Sequence, residues 1–412
     1  MTTDPILLDW LQFAARWLHV ITAISWIGSS FYFIALDLGL RKSDDLPDGA
    51  YGEEWQVHGG GFYHIQKYLV APARLPEHLT WFKWESYWTW MSGFILLCLT
   101  YYMGAELYLI DANKFDMPVW AGIAISIASM VVGWFAYDLV CKSSFGDDNT
   151  RLMLALYVVL VALGWGFTEI FTDRAAFLHI GAVTATLMSA NVFLIIIPNQ
   201  KIVVADLKAG RTPDAKYGQI AKQRSTHNNY LTLPVIFFML SNHYPLAFAT
   251  EYNWVIAALV VLMGVTIRHY FNSMHARKGK PLWTWLATAA LFAAIIYLST
   301  FPPSSNPDEE ISSSRELTPM AQKLTKAASF ADVSDIVMGR CAMCHAAEPG
   351  WEGIHRAPKG VLLETPEQIA RHASAIYLQA ARSNAMPPAN ASFMEPEERK
   401  KIAAWYEQAT KE

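Results

Sequence analysis

The sequence predicts an all-α membrane protein: a polytopic bundle of eight transmembrane helices, followed by a small all-α domain outside the bilayer. Three features point to this. Only 17% of the 412 residues are charged and 53% are hydrophobic, whereas soluble chains carry roughly 25% charged residues. Long apolar runs fill the chain up to about residue 301, and none follows. Between the two parts lies Phe301-Pro302-Pro303-Ser304-Ser305-Asn306-Pro307 with three acidic residues and then serines at 312–314. That composition packs no core and reads as a linker over residues 302–328. The net charge of -4 leaves no nucleic-acid footprint.

A helix needs about 20 mostly apolar residues to cross the hydrocarbon. Residues 10–37, 84–108, 117–140, 151–172, 175–197, 229–249, 253–272 and 282–301 meet this description, which puts the transmembrane domain at 1–301. The first span is expected to stay in the protein. Met1 to Asp9 has no Lys or Arg, and no small-residue cleavage site follows a short apolar core.

Residues 329–412 form the second domain and contain Cys341-Ala342-Met343-Cys344-His345. Two thiols three positions apart add to the two vinyl groups of one porphyrin, and the next residue lies under the iron. Cys341 and Cys344 therefore predict a covalent haem c with His345 as its proximal ligand. Ser329 to Arg340 reads as the helix leading into the motif, with Ser329 as N-cap. A second helix begins near Pro396 and brings Ile402 and Trp405 against the first. The sixth iron ligand is a choice among Met386, Met394, His355 and His372. Met386 is preferred, because Pro387-Pro388 fixes the loop that presents it and a thioether raises the reduction potential. Ala357-Pro358 resembles the segment whose proline carbonyl orients the proximal histidine in class I cytochromes c. Zinc is the competing reading of the cysteines, but it needs two further ligands at workable spacing. Cys98 lies in an apolar stretch and Cys141 just after one, so no disulfide framework is expected.

Two arguments give the orientation. Haem is attached to this motif on the outer side of the bacterial inner membrane, so the C-terminal domain is expected in the periplasm. Eight spans then put the N-terminus there too. The charge rule agrees. Arg41, Lys42, Lys67, Arg74, Lys142, Lys201, Lys208, Arg211, Lys216, Lys222, Arg224, Arg277, Lys278 and Lys280 fall in the inner loops, and the outer loops carry little beyond Lys114 and Arg174.

Ionisable residues inside spans are costly and so are functional candidates. Arg16 and His19 share a face of span one, Asp138 ends span three, Glu169 ends span four, and His179 lies in span five. Leu18-His19-Val20 is echoed by Leu178-His179-Ile180. His19, His179 and His243 belong to the outer half, where two of them could ligate a haem b, as facing helices often do. His19 and His179 are the first pair and His243 the substitute; the alternative is hydrogen-bonded core histidines. The inner side carries His58-Gly59-Gly60-Gly61-Phe62-Tyr63-His64, Trp81-Phe82-Lys83-Trp84-Glu85 and Thr226-His227-Asn228-Asn229-Tyr230. Flat rings, Lys, His and amides there could hold a planar heterocyclic anion; a re-entrant interfacial loop with an aromatic belt is the plainer reading.

Taken with Trp17-Leu18-His19, Trp26-Ile27-Gly28 and Ser241-Asn242-His243, these segments resemble the membrane-bound urate oxidases, or urate hydroxylases, of the PuuD family. The resemblance covers nearly the whole chain. It implies that urate is oxidised to 5-hydroxyisourate and that electrons leave through cytochrome c to the respiratory chain, with a periplasmic cytochrome c or terminal oxidase as acceptor. Urate is a planar anion, which suits aromatic walls with basic and amide groups. Oxidation removes two electrons and one haem c accepts one, which favours a second centre or two sequential transfers. A general base is needed for the added water, and His64, His227 and His269 on the inner side are the candidates. A non-enzymatic cytochrome b/c carrier passing electrons from quinol is the alternative, with a redox-linked transporter behind it.

Overall fold

The computed structural model describes residues 5–68, 76–111, 114–248, 250–300, 317–354 and 357–411. Arg74, His355 and much of the expected linker lie outside these residues.

Helix α1 (Pro5–Gly39) is apolar almost throughout. Its large side chains point outward: Trp10, Trp17 and Ile24 are each more than 60% exposed, as expected of a helix whose solvent is lipid. The chain then departs from the all-α expectation. Strands β1 (Ala50–His58) and β2 (Gly61–Tyr68) pair antiparallel. Gly59 and Gly60 form the turn with φ of 58° and 80°, the left-handed conformation that two-residue hairpin turns demand and that glycine adopts without strain. The glycine run is therefore a hairpin tip and not a re-entrant loop. Tyr51, Trp55 and Val57 on one strand and Phe62 and His64 on the other give the period-two pattern of a pleated ribbon, with Trp55 opposite His64 and Val57 opposite Phe62.

Helix α2 (Trp84–Leu97) continues through a widened turn at Cys98–Tyr102 to the short α3 (Ala105–Tyr108). Next come α4 (Val119–Lys142), α5 (Asn149–Ile170) and α6 (Asp173–Ala190). A second widened turn, Asn191–Ile196, joins α6 to α7 (Ile197–Lys208). Pro198 has no N–H to close the helical ladder there, a common cause of such local rewinding. Helices α8 (Ala215–Ser241), α9 (Asn253–His275) and α10 (Trp283–Thr300) complete this part.

Six helices among the described residues are long and apolar enough to cross a membrane: α1, α4, α5, the continuous α6–α7 rod, α9 and α10. The chain is thus a multi-pass membrane protein. Two of the eight expected spans do not qualify. The one at 84–108 is interrupted by its widened turn. The one at 229–249 is only the latter half of α8, whose polar first half begins at Ala215 and is buried at Arg224, His227, Asn228 and Asn229.

Hydrogen bonds at the two ends fix the alternation of helix direction. At the hairpin end Lys67 and Lys222 both pair with Asp37, and Gln223 donates to the Gly146 carbonyl at 2.6 Å. At the far end Tyr101 donates to Asn242 at 2.7 Å, Thr172 to the Tyr108 carbonyl at 2.7 Å, and Asn253 to Asp173 at 2.9 Å. Between them Phe171, Phe177, Ile180, Leu187, Phe238 and Ile256 form a fully buried core. Pro234 breaks the ladder of α8, and Gly264 of α9 makes room for its ring: a Cβ on Gly264 would lie 2.5 Å from Pro234 Cδ.

A second hydrophobic core belongs to the C-terminal domain. It is made by α11 (Pro319–Lys326), α12 (Phe330–Cys341), α13 (Pro366–Arg371), α14 (Ala373–Ile376) and α15 (Pro396–Lys411). Ile402 and Trp405 of α15 are fully buried, and Trp405 packs 5.7 Å from Phe330 of α12. Trp405 Nε1 also donates to the Leu324 carbonyl of α11 at 3.1 Å. The domain therefore begins earlier than residue 329, and α11 was misassigned to the linker because its short, charged sequence hides Ala321 and Leu324 on one buried face. Ser329 occupies the N-cap position of α12 without making a side-chain capping bond.

Gly264→Ala is expected to destabilise the membrane domain by about 1–3 kcal/mol, the usual range for overpacking a rigid contact. Thermal unfolding of the detergent-solubilised protein measures it; an unchanged midpoint would contradict the packing described.

Candidate functional site

The first residues of α2 and the loop before them turn back against α1, α6, α7 and α8 and form an open-mouthed cavity of about 270 Å³. Trp26 and Phe33 from α1 and Trp81 and Phe82 from the loop give it flat apolar walls. Glu85, Gln200, Asn228 and Thr232 add polar groups. Several of these came from segments already singled out in the sequence, 81–85 and 226–230. They lie far apart in the chain and meet because α1, α2 and α8 end or begin on the same side, the side of the hairpin.

A buried polar network stands behind the Asn228 wall. Arg224 is 2% exposed and donates to Asp138 of α4 at 2.7 Å and to Asn191 at 3.3 Å. Its guanidinium lies 4.8 Å from the Tyr137 ring centroid. Asn191 sits in the widened turn after α6 and donates to Asn228 at 3.1 Å and to the Tyr137 hydroxyl at 3.2 Å. Asn228 in turn donates to the Met188 carbonyl at 2.9 Å. Lys142 reaches Asp138 from the surface at 2.6 Å. Asp138 was visible in the sequence as an intramembrane carboxylate. Arg224 was counted with the inner loops, because its polar neighbours conceal that it lies within a buried helix. Asn191 and Tyr137 were missed; an amide inside an apolar span was the available signal.

The three histidines proposed as catalytic bases are not brought together, and none lines the cavity. His64 is on the hairpin, 2.6 Å from Glu53 and stacked on Trp55 at 4.1 Å. That bond, after the one from Ser43, holds the Glu53 carboxyl below its usual range. His227 is buried, with Nδ1 2.7 Å from the Tyr137 hydroxyl and Nε2 without a partner. His269 lies 3.5 Å from the Tyr230 hydroxyl and 6.1 Å from the Trp283 ring.

The outer histidines are also separate. His19 Nδ1 is 2.9 Å from the Thr89 carbonyl and 3.3 Å from Ser92 Oγ, both on α2, with its ring against Gly93. His179 is fully buried; Nδ1 donates to the Ala175 carbonyl at 2.7 Å and Nε2 is 2.6 Å from Ser126 Oγ on α4. Both ring nitrogens of His179 are thus engaged, and the pair does not form a bis-histidine site. His243 is exposed just beyond α8. His19 and His179, each engaged by a different helix, do not fit a bis-histidine haem b.

The C-terminal motif does fit a haem c. Cys341 closes α12, and neither it nor Cys344 is in a disulfide. His345 Nδ1 donates to a backbone carbonyl at 2.9 Å, which leaves Nε2 as the free ligand atom. The acceptor is Val361, not Pro358: the chain makes a short helical turn at Pro358–Gly360 and only then passes the imidazole. Among the described residues no group of three or more His, Cys, Asp or Glu side chains is placed to hold a metal ion. Met394 is 2% exposed and belongs to the core of the C-terminal domain. Met386 lies half-buried at the core edge, with its N–H donated to the Gln379 carbonyl at 2.8 Å and its carbonyl held by Arg399 at 2.8 Å. Burial, with His345 nearby, holds the His372 imidazole down at about 4.

Residues 5–299 match the family model described as Urate oxidase N-terminal. The chain belongs to this family. No curated protein and no solved structure matches it. The urate oxidase N-terminal match takes in the cavity and the buried network whole, and it ends before the C-terminal domain.

Replacing Arg224 by Gln leaves Asp138 with only the surface Lys142 as counter-ion. Breaking a buried pair costs about 3–5 kcal/mol. The variant is expected to lose stability on that scale in detergent, while Lys142→Gln, at an exposed position, changes it little. Equal effects of the two would contradict the buried pairing.

Proposed function

We propose that this chain is a membrane-bound oxidoreductase that oxidises urate to 5-hydroxyisourate and sends the electrons out through its own haem c. The observation that carries the reading is the cavity: within the family-matched region, segments 81–85 and 225–232 meet to form a flat-walled, amide-lined recess suited to a planar heterocycle. Rings of Trp26, Phe33, Trp81 and Phe82 can stack on a purine. Asn228, held by Asn191 and Met188, can present an oriented amide to its carbonyl or ring nitrogens.

Urate monoanion and water give 5-hydroxyisourate, one proton and two electrons. A c-type haem, once bound, supplies a one-electron acceptor, so the electrons leave singly. Cys341 and Cys344 would hold it covalently, with His345 and Met386 on the iron. The turn at Pro245–Ala247 contacts the turn at Pro358–Gly360, which brings the His345-orienting loop against the far end of the membrane domain. This supports passage of electrons from one domain to the other and onward to a periplasmic cytochrome c or terminal oxidase.

The reading places all eight apolar segments across the bacterial inner membrane, with the cavity in the cytoplasmic half and the C-terminal domain in the periplasm. The Lys and Arg residues of the hairpin end support that orientation.

Anaerobic urate added to the oxidised, purified protein is expected to reduce its haem c, seen in the visible spectrum. No reduction of a protein that dithionite still reduces would overturn the assignment, and quinol-dependent reduction in its place would support the carrier reading. A pyridine haemochrome measurement is expected to count one haem c per chain. Met386→Ala should keep the covalent haem and lower its reduction potential, since a thioether ligand raises it. His372→Ala should leave the potential near that of the native protein; a reversal of these two results would move the sixth ligand to His372.

A further inference from the structure

The cavity holds one ionisable side chain that nothing above assigns. Among its described lining residues, Glu85 alone carries a charge; the others are aromatic, aliphatic, hydroxyl or amide. A carboxylate is an unexpected neighbour for an anionic substrate, because it weakens binding. Its presence has a chemical explanation if the reaction needs a proton acceptor at that point. We propose that Glu85 is the general base of urate hydroxylation. The proposal rests on the urate reading above.

The stoichiometry calls for one such group. The haem c that Cys341 and Cys344 would hold would supply a one-electron acceptor, and the loss of two electrons from urate monoanion is reversible until water adds to the ring. The resulting ring is electron-poor at C5. The water oxygen then bonds to C5 as one O–H bond breaks, and that proton passes to the Glu85 carboxylate. The product is neutral 5-hydroxyisourate, and atoms and charge balance with a single proton accepted. A positioned base of this kind contributes about 10²–10⁴ in rate.

The geometry suits the task. Glu85 lies in the first turn of α2, where the unpaired N–H end of the helix favours negative charge. Its backbone carbonyl accepts from Thr89 at 2.6 Å. Four charged or titratable groups on the surrounding elements are engaged elsewhere. Lys83 lies over the Trp84 ring, Asp37 of α1 is paired with Lys67 and Lys222, Arg224 of α8 is on Asp138, and His227 of α8 is on Tyr137. None of these four lines the cavity.

The test uses the full-length holoprotein. The native protein should be reduced by urate with a rate that falls towards acid pH. Glu85→Gln should bind urate at least as tightly, read from tryptophan fluorescence quenching. It should reduce its haem about 100-fold more slowly and lose the acid limb of the pH profile. Glu85→Asp keeps a carboxylate and should keep the limb, with a rate roughly 10-fold lower; it also serves if the Gln variant fails to assemble. Dithionite reduction of each variant reports an intact haem. A Gln variant as fast as native, an acid limb that persists without the carboxylate, or an Asp variant that has lost the limb would each overturn the Glu85 assignment alone. Failure of urate to reduce the native protein would overturn the urate reading itself and this proposal with it.

Discussion

A charged pair buried in a membrane domain has to be satisfied within the protein, because lipid supplies neither water nor counter-ion. Arg224 and Asp138 meet that constraint at 2.7 Å, each less than a tenth exposed. Much of the surrounding architecture follows from it. Helix α8 must approach α4 closely enough for the pair to form. The guanidinium still has other donors to satisfy, and Asn191 accepts one of them from the rewound turn after α6. Asn191 then reaches Tyr137 and Asn228, so α4, α6 and α8 are tied at one depth. The cavity wall at Asn228 is the far side of this polar knot.

The same arrangement explains why α8 is polar where a membrane helix would ordinarily be apolar. Its first half carries Arg224, His227, Asn228 and Asn229, all buried. Asn229 accepts from Arg268 at 3.2 Å and from Asn272 at 2.9 Å, which joins α9 to the knot from the other side. Helix α8 is thus a central strut whose polarity is directed inward, with α1, α4, α5, α9 and α10 presenting apolar faces outward. Its packing is further fixed by Pro234 against Gly264, where shape rather than charge selects the partner.

The C-terminal domain follows a different logic. It is small, so it depends on a few large contacts, Trp405 on Phe330 and the α11 turn against both. The His345 imidazole is oriented by a carbonyl sixteen residues further on. A motif can specify which atoms bind the iron, yet which carbonyl orients the ring depends on how the intervening loop folds. Ala357-Pro358 suggested the proline; the turn that follows it delivers Val361 instead.

Legibility in the sequence tracked the range of the physics involved. Apolar runs longer than a bilayer are local signals, and they sufficed for six helices long enough to cross a membrane. The hairpin was half visible: its glycines were noticed, but the pairing of Trp55 with His64 is a contact across a turn. The histidines show the limit most clearly. His19 and His179 share a sequence context, yet one is held by α2 and the other by α4. His64, His227 and His269 lie in three separate environments. Glu85 was read only as part of a segment. Residue type and depth are set by the sequence alone, because hydropathy and helix rise act along the chain. Which side chains share a cavity is decided by tertiary packing, since it depends on the rotation of each helix about its axis, and small changes in that rotation exchange one neighbour for another.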